Sequence, residues 1–251
     1  MTALVRAEWT KLFTTKVWIG LLLGACLLVG GFAALLTGFA GNADSGIPPV
    51  GTEGFEEIAL AQATNATVLA LILGIIGMTQ EYRHRTATPT FLAEPRRWRV
   101  VVAKIIAYAL AAVPFALVAL AVNVLVVSVY AGARGAAPSL TGHNLEVLFS
   151  SGLALVIYAL IGVGIGALLR NQVGAIVGGL VYLFVVEPVI RSIPATSGAY
   201  KWMPGGALEA MTATFQGPDL LGAWEGGLLL VGYGLLAAFL GTVLAVRRDV
   251  V

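Results

Sequence analysis

Six apolar runs dominate this chain, and each is long enough to dictate its own structure. A helix needs about 20 such residues to cross the hydrocarbon of a bilayer. The runs read as 17–39, 58–78, 100–130, 145–169, 173–189 and 222–246. Hydrocarbon offers no water, so each backbone polar group must be satisfied within its own segment, and each run is expected to be a helix. A membrane barrel would show short alternating strands instead. The expected fold is all-α: a polytopic membrane protein with six transmembrane helices in one domain covering 1–251. Charged residues make up only 11% of the chain, against about a quarter in soluble domains. That excludes a soluble globular enzyme and a nucleic-acid binder built on a dense basic face.

Orientation follows from the basic residues. Twelve of the fifteen lie on the side of the N-terminus: Arg6, Lys11, Lys16, Arg83, Arg85, Arg96, Arg97, Arg99, Lys104, Arg170, Arg247 and Arg248. Arg134, Arg191 and Lys201 lie on the other. Both termini are therefore expected in the cytoplasm. The third run exceeds what a bilayer requires. Pro114 is expected to kink it, and its surplus, Lys104 included, to project into the cytosol. The first run is longer than a signal-peptide core of about 7–15 residues, so it reads as a retained span. Residues 1–16 read as an amphipathic helix in the interface, with Leu4, Val5, Trp9, Leu12 and Phe13 towards lipid. The bland alternative is a basic flank.

Several chemistries lack their residues. No lysine follows a glycine, so no nucleotide-binding loop of the Walker type is present. His84 and His143 fall on opposite sides of the membrane, and Cys26 is the single cysteine, which leaves no metal site and no disulfide. Catalytic, cofactor-binding and metal-ligating residues are all expected to be absent. Glu187, before Pro188, and Glu225 lie at outer span ends, where they are expected to reach the interface. Glycine pairs at four-residue spacing, Gly20/Gly24, Gly162/Gly166 and Gly174/Gly178, read as close helix packing.

The informative segment is the cytoplasmic loop 79–99. Phe91 and Leu92 sit there between charged flanks, which suits a short helix pressed on a partner surface. Glu81 is expected to pair with a partner cation or with Arg85. A loop whose arginines only fix topology is the plainer account.

Glu81, Arg83, Thr86, Leu92, Pro95, Arg96, Arg97 and Lys104 follow the order common in ABC-2 type permeases of ATP-binding-cassette transporters, which the chain resembles. The opening Glu8-Trp9-Thr10-Lys11-Leu12 is similar to that family's elbow helix. The usual leucine-rich pair reads Phe91-Leu92 here. The resemblance implies the membrane subunit of an exporter, paired with a second copy or a sister permease and with two cytosolic ATPase subunits. ATP and Mg would bind the ATPase, and this chain would carry no cofactor and no catalysis. Glu81, Arg83, Thr86, Phe91, Leu92, Pro95, Arg96 and Arg97 would couple to the ATPase. Spans two and five would line the path, with Gln62, Asn65, Thr67 and Glu187. Residues 191–221 would form an outer re-entrant region, in which Trp202, Met203, Leu208, Met211 and Phe215 cap the exit or lie in the headgroup layer. The substrate expected is an amphipathic or hydrophobic drug, peptide or lipid. Other partners would be membrane lipids, with no nucleic acid, in a bacterial cytoplasmic membrane. The competing functions are an ATP-independent secondary transporter or channel and a membrane-embedded enzyme acting on lipid.

Overall fold

The computed structural model describes residues 1–212 and 220–247, with side chains of the last helix described up to position 243. Phe215, Pro218 and Arg248 lie outside the described residues. Those described form helices joined by turns and loops, with no strand among them. Six helical segments are long and apolar enough to cross a membrane.

Helix α1 (Thr2–Thr14) turns at Thr15-Lys16 into α2 (Val17–Phe39). The second membrane segment runs from Glu53 to Arg83, beginning five residues before the apolar run does. It is broken into α3 (Glu53–Ala61), a 3₁₀ turn (Gln62–Ala66) and α4 (Thr67–Arg83). The break has a local cause. Thr64 Oγ1 donates to Ala61 O, Asn65 Nδ2 to Gln62 O and Thr67 Oγ1 to Thr64 O, each across three residues. Such side chains compete with the i→i−4 ladder. Next come α5 (Ala87–Ala93) and α6 (Arg97–Ala133), which continues as one helix through Pro114. Helix α7 (His143–Leu169) ends on Arg170, in the left-handed region. Asn171 then caps α8 (Gln172–Val181) by accepting from Gly174 N at 3.0 Å. A π turn (Tyr182–Val186) leads into α9 (Glu187–Ser192). Pro188 has no N–H to give the carbonyl of Phe184, and a locally wider turn accommodates that loss. Short α10 (Ser197–Tyr200) and α11 (Pro204–Thr212) precede the last span, α12 (Ala223–Arg247).

The core centres on α7, which packs against α4, α6 and α12. Helices α4 and α7 cross where glycine faces main chain. A Cβ on Gly74 would overlap Ala159 O, and one on Gly162 would overlap Leu71 O. Gly166 packs against Met78 and Thr79 of the same neighbour. Gly20 and Gly178, by contrast, have nothing within 4 Å of a built Cβ. Of the three glycine pairs, only Gly162/Gly166 makes a close crossing, and its partner Gly74 has no four-spaced companion.

Asn123, fully buried in the middle of α6, donates to Ala59 O at 3.2 Å and Leu60 O at 2.7 Å. It thus covers carbonyls at the break of the second segment. A lone Asn in an apolar span is the signal for such a role, and counting apolar runs passes over it. Asn123→Leu is expected to cost about 1–3 kcal/mol, the penalty for stranding buried polar groups. Thermal unfolding in detergent measures it. Unchanged stability would show that the break needs no cap from α6.

Candidate functional site

Four charged side chains from three helices meet at the end of the bundle that holds α1. Glu8 and Lys11 come from α1, one turn apart on one face. Glu81 comes from the last turn of α4 and Lys104 from the third turn of α6. Lys104 Nζ lies 2.6 Å from Glu8 Oε2 and 3.4 Å from Glu81 Oε1. It donates as well to Gly77 O at 3.3 Å. Lys11 Nζ lies 2.6 Å from Glu8 Oε1 and 2.6 Å from Glu81 Oε1. Two acids and two bases form a closed, neutral quartet.

Burial makes the quartet consequential. Lys104 is 1% exposed, Glu8 3% and Glu81 5%. Charges that deep are tolerated only when paired and hydrogen-bonded, as here. Burial opposes the charge on Lys11, but its hydrogen bonds to Glu8 and Glu81 and their charges outweigh this and raise its pKa. With a raised pKa, its contribution is complete below the ordinary lysine value, about 10.4. It is lost only as pH rises through the higher, folded value. Lys11 therefore keeps its charge and its two carboxylate partners' attraction throughout the neutral range.

Two expectations are corrected at this point. Lys104 does not project into the cytosol; carboxylates from α1 and α4 enclose it. Glu81 pairs with Lys11 and Lys104 rather than with Arg85, whose φ of 56° ends α4 in a left-handed turn and whose side chain is exposed.

The quartet also holds α5. Thr90 Oγ1 donates to Glu81 Oε1 at 3.2 Å, and Thr86 N donates to Glu81 O at 2.8 Å. The apolar pair on α5 is split. Phe91 lies under the Arg97 guanidinium, 5.5 Å from its ring centroid, whereas Leu92 is 77% exposed. Trp98 is half exposed nearby. The turn at Pro95 is fixed by Arg97 N donating to Pro95 O and by a 3.2 Å ion pair between Arg99 and Glu94. Arg83 and Arg96 are exposed. At the same end the Arg170 guanidinium stacks 5.7 Å from the Tyr82 ring centroid, so the turn between α7 and α8 shares it.

The expected path residues are dispersed. Gln62 and Asn65 bond each other, Asn65 Nδ2 donating to Gln62 Oε1 at 2.9 Å, and Thr67 bonds its own helix. Glu187 is not exposed at its span end. It is buried and accepts from Gly205 N at 3.1 Å, because α11 folds back over the end of the fifth segment. Arg191 and Glu209, 2.7 Å apart, tie α9 to α11. Met211 is buried and Leu208 packs on the core, so of Trp202, Met203, Leu208 and Met211 only Trp202 is largely exposed. Between α4, α7, α8 and α12 lies a cavity of about 460 Å³, lined by Leu71, Tyr158, Ile161, Gly179, Tyr182 and Tyr233 among others. No group of three or more His, Cys, Asp or Glu that could hold a metal occurs among the described residues.

No curated protein matches the chain significantly. The model of the family described as ABC-2 family transporter protein matches residues 4–186. That stretch takes in all four members of the quartet, α5 and the first five membrane segments up to the π turn. It covers well over half of the 251 residues, and the chain is accordingly a multi-pass membrane permease of the ABC-2 transporter family.

Proposed function

We propose that this chain is the membrane subunit of an ATP-driven exporter, and that α5 is where a separate cytosolic ATPase docks. The observation that carries this is the quartet. It binds α1, the end of α4, the start of α6 and, through Thr90, α5 into one unit. A push on α5 is then delivered to the second and third membrane segments together. In this reading α1 is an elbow helix lying in the interface, and both termini are cytoplasmic. Two copies, or this chain with a sister permease, pair with two ATPase subunits that hold the ATP and Mg. Residues 191–221 lie at the outer face of a bacterial cytoplasmic membrane. The path runs along the second and fifth segments, with Gln62, Asn65, Thr67 and Glu187. The cavity that the two segments share, at Leu71 of the second and Gly179 and Tyr182 of the fifth, is mostly apolar and within the size range of drug-sized ligands, which supports an amphipathic or hydrophobic cargo.

Docking falls on Leu92 and on the exposed Arg83 and Arg96. Thr86, Pro95 and Arg97 shape the segment, and Phe91 is held inside it. Leu92→Ala is expected to weaken association with the ATPase by about 1.5–3 kcal/mol, the value of one buried leucine. Phe91→Ala is expected to do less, since its ring already has a partner. The test is co-purification with candidate ATPases and cargo-stimulated ATP hydrolysis, with membrane insertion as control. Full transport by Leu92→Ala would reduce this loop to an orientation signal.

A further inference from the structure

A second cavity, of about 180 Å³, opens where α1 turns into α2. Leu12 and Phe13 line it from α1, Trp18 and Leu22 from α2, and Pro114 and Val118 from α6. Its volume is below the roughly 300–1,000 Å³ of drug-sized ligand sites. Its walls are apolar, so a headgroup has no place inside. Its depth is informative. Pro114 lies ten residues along α6 from Lys104, about 15 Å at the helical rise. That is about half the hydrocarbon thickness of a bilayer, the reach of one acyl chain within one leaflet.

Charge supplies the second argument. The only acid on α1 is Glu8, which is buried and taken up by Lys11 and Lys104. The charged residues that α1 and its turn leave exposed are basic, Arg6 and Lys16. Lys16 stands in the chain between Phe13 and Trp18, both of which line the cavity. Trp9, Phe13 and Trp18 form an aromatic series there, with centroids 4.9 and 5.2 Å apart. Such rings suit the level of lipid headgroups.

We propose that this cavity binds one anionic phospholipid, with an acyl chain along Leu22, Pro114 and Val118 and its phosphate at Lys16. Bound there, the lipid wedges the α1–α2 turn against α6 and links the quartet to the composition of the membrane. The proposal rests on the interfacial placement of α1 given above, and on nothing about ATP.

The test uses the full chain with Trp9, Trp98, Trp202 and Trp224 changed to Phe, leaving Trp18 as the one fluorophore. It is reconstituted in nanodiscs containing a small fraction of lipid with brominated acyl chains, which quench tryptophan on contact. The brominated lipid is either phosphatidylcholine or phosphatidylglycerol. Quenching by both reports that Trp18 touches lipid. Selective quenching by phosphatidylglycerol reports the site, with an expected preference of about five-fold, equivalent to about 1 kcal/mol for one basic side chain at the surface. Lys16→Gln should abolish the preference and keep the basal quenching. Leu22→Phe should reduce both by filling the cavity. Lipid retained by the otherwise unmodified chain, counted by native mass spectrometry with and without Lys16→Gln, checks that the tryptophan changes are innocent. Equal quenching by the two lipids overturns the proposal and leaves the placement of α1 intact. Preference that survives both substitutions overturns it too, placing the anionic lipid elsewhere. Quenching by neither lipid refutes the interfacial placement itself.

Discussion

Lys104→Met is expected to destabilise the folded chain by about 3–5 kcal/mol, the usual cost of removing one partner from a buried ion pair. Methionine matches the length of lysine closely, so packing is roughly kept and the loss is electrostatic. Glu8 and Glu81 would face each other with only Lys11 between them, and Gly77 O would lose a donor. The sharper forecast concerns rescue. Glu8→Gln and Glu81→Gln combined with Lys104→Met should recover most of the stability, because neutral replacement of a buried ion cluster is often harmless. Lys11, with 38% of its side chain exposed, can then turn its charge to water. Export should not recover with stability if the quartet transmits motion from α5. Thermal unfolding in detergent, read beside transport with the partner ATPase, separates these effects. A single mutant as stable as the parent would mean the quartet is not held closed in the membrane. A rescued variant that exports normally would make it a structural device only.

The parts of this architecture legible in the sequence are those set by one segment at a time. Long uncharged runs must be helical in hydrocarbon, and that requirement is local. The charges at 8, 11, 81 and 104 are visible too, but not that they meet. Arg85 lies about one helical turn beyond Glu81 in sequence, while the actual partners lie 70 and 23 positions away on other helices. Which side chains meet across helices depends on how each helix is rotated about its axis. A span apolar on all sides has no polar face to fix that rotation. Polar residues are hard to read for the same reason. That Gln62, Asn65 and Thr67 bond within their own segment and tighten its turn is set by local geometry that their spacing does not announce. Glu187 reads as an edge residue because its own segment ends there. What buries it is α11, a separate element that returns over the segment's end after α10.

Gly162→Ala and Gly74→Ala are expected to be among the most damaging substitutions of a single methyl, while Gly20→Ala is expected to be neutral or slightly stabilising. All three place the same group in a helix, and helix propensity alone favours alanine by about 1 kcal/mol. The difference is what the new Cβ meets. At Gly74 it meets the main chain of Ala159 and Val163, and at Gly162 that of Leu71 and Ile75. A side-chain obstacle can change rotamer, but main chain cannot yield without moving its helix. Helices α4 and α7 would have to separate along their length, loosening Leu71, Ile75, Leu155, Tyr158 and Val163 in the core between them. Overpacking of this sort typically costs about 1–3 kcal/mol, and more where backbone must shift. In a bilayer, apolar side chains gain little by leaving lipid, so helix association rests on close packing, and lost contact is not offset by a hydrophobic drive. At Gly20 a Cβ meets nothing within 4 Å, so only the propensity term remains. The pair of forecasts is checked by the fraction of each variant that stays monodisperse in detergent after graded heating. Equal melting of Gly162→Ala and Gly20→Ala would mean that α4 and α7 do not cross at glycine. The central contact that positions Glu81 at the end of α4 would then have to be rebuilt around another crossing.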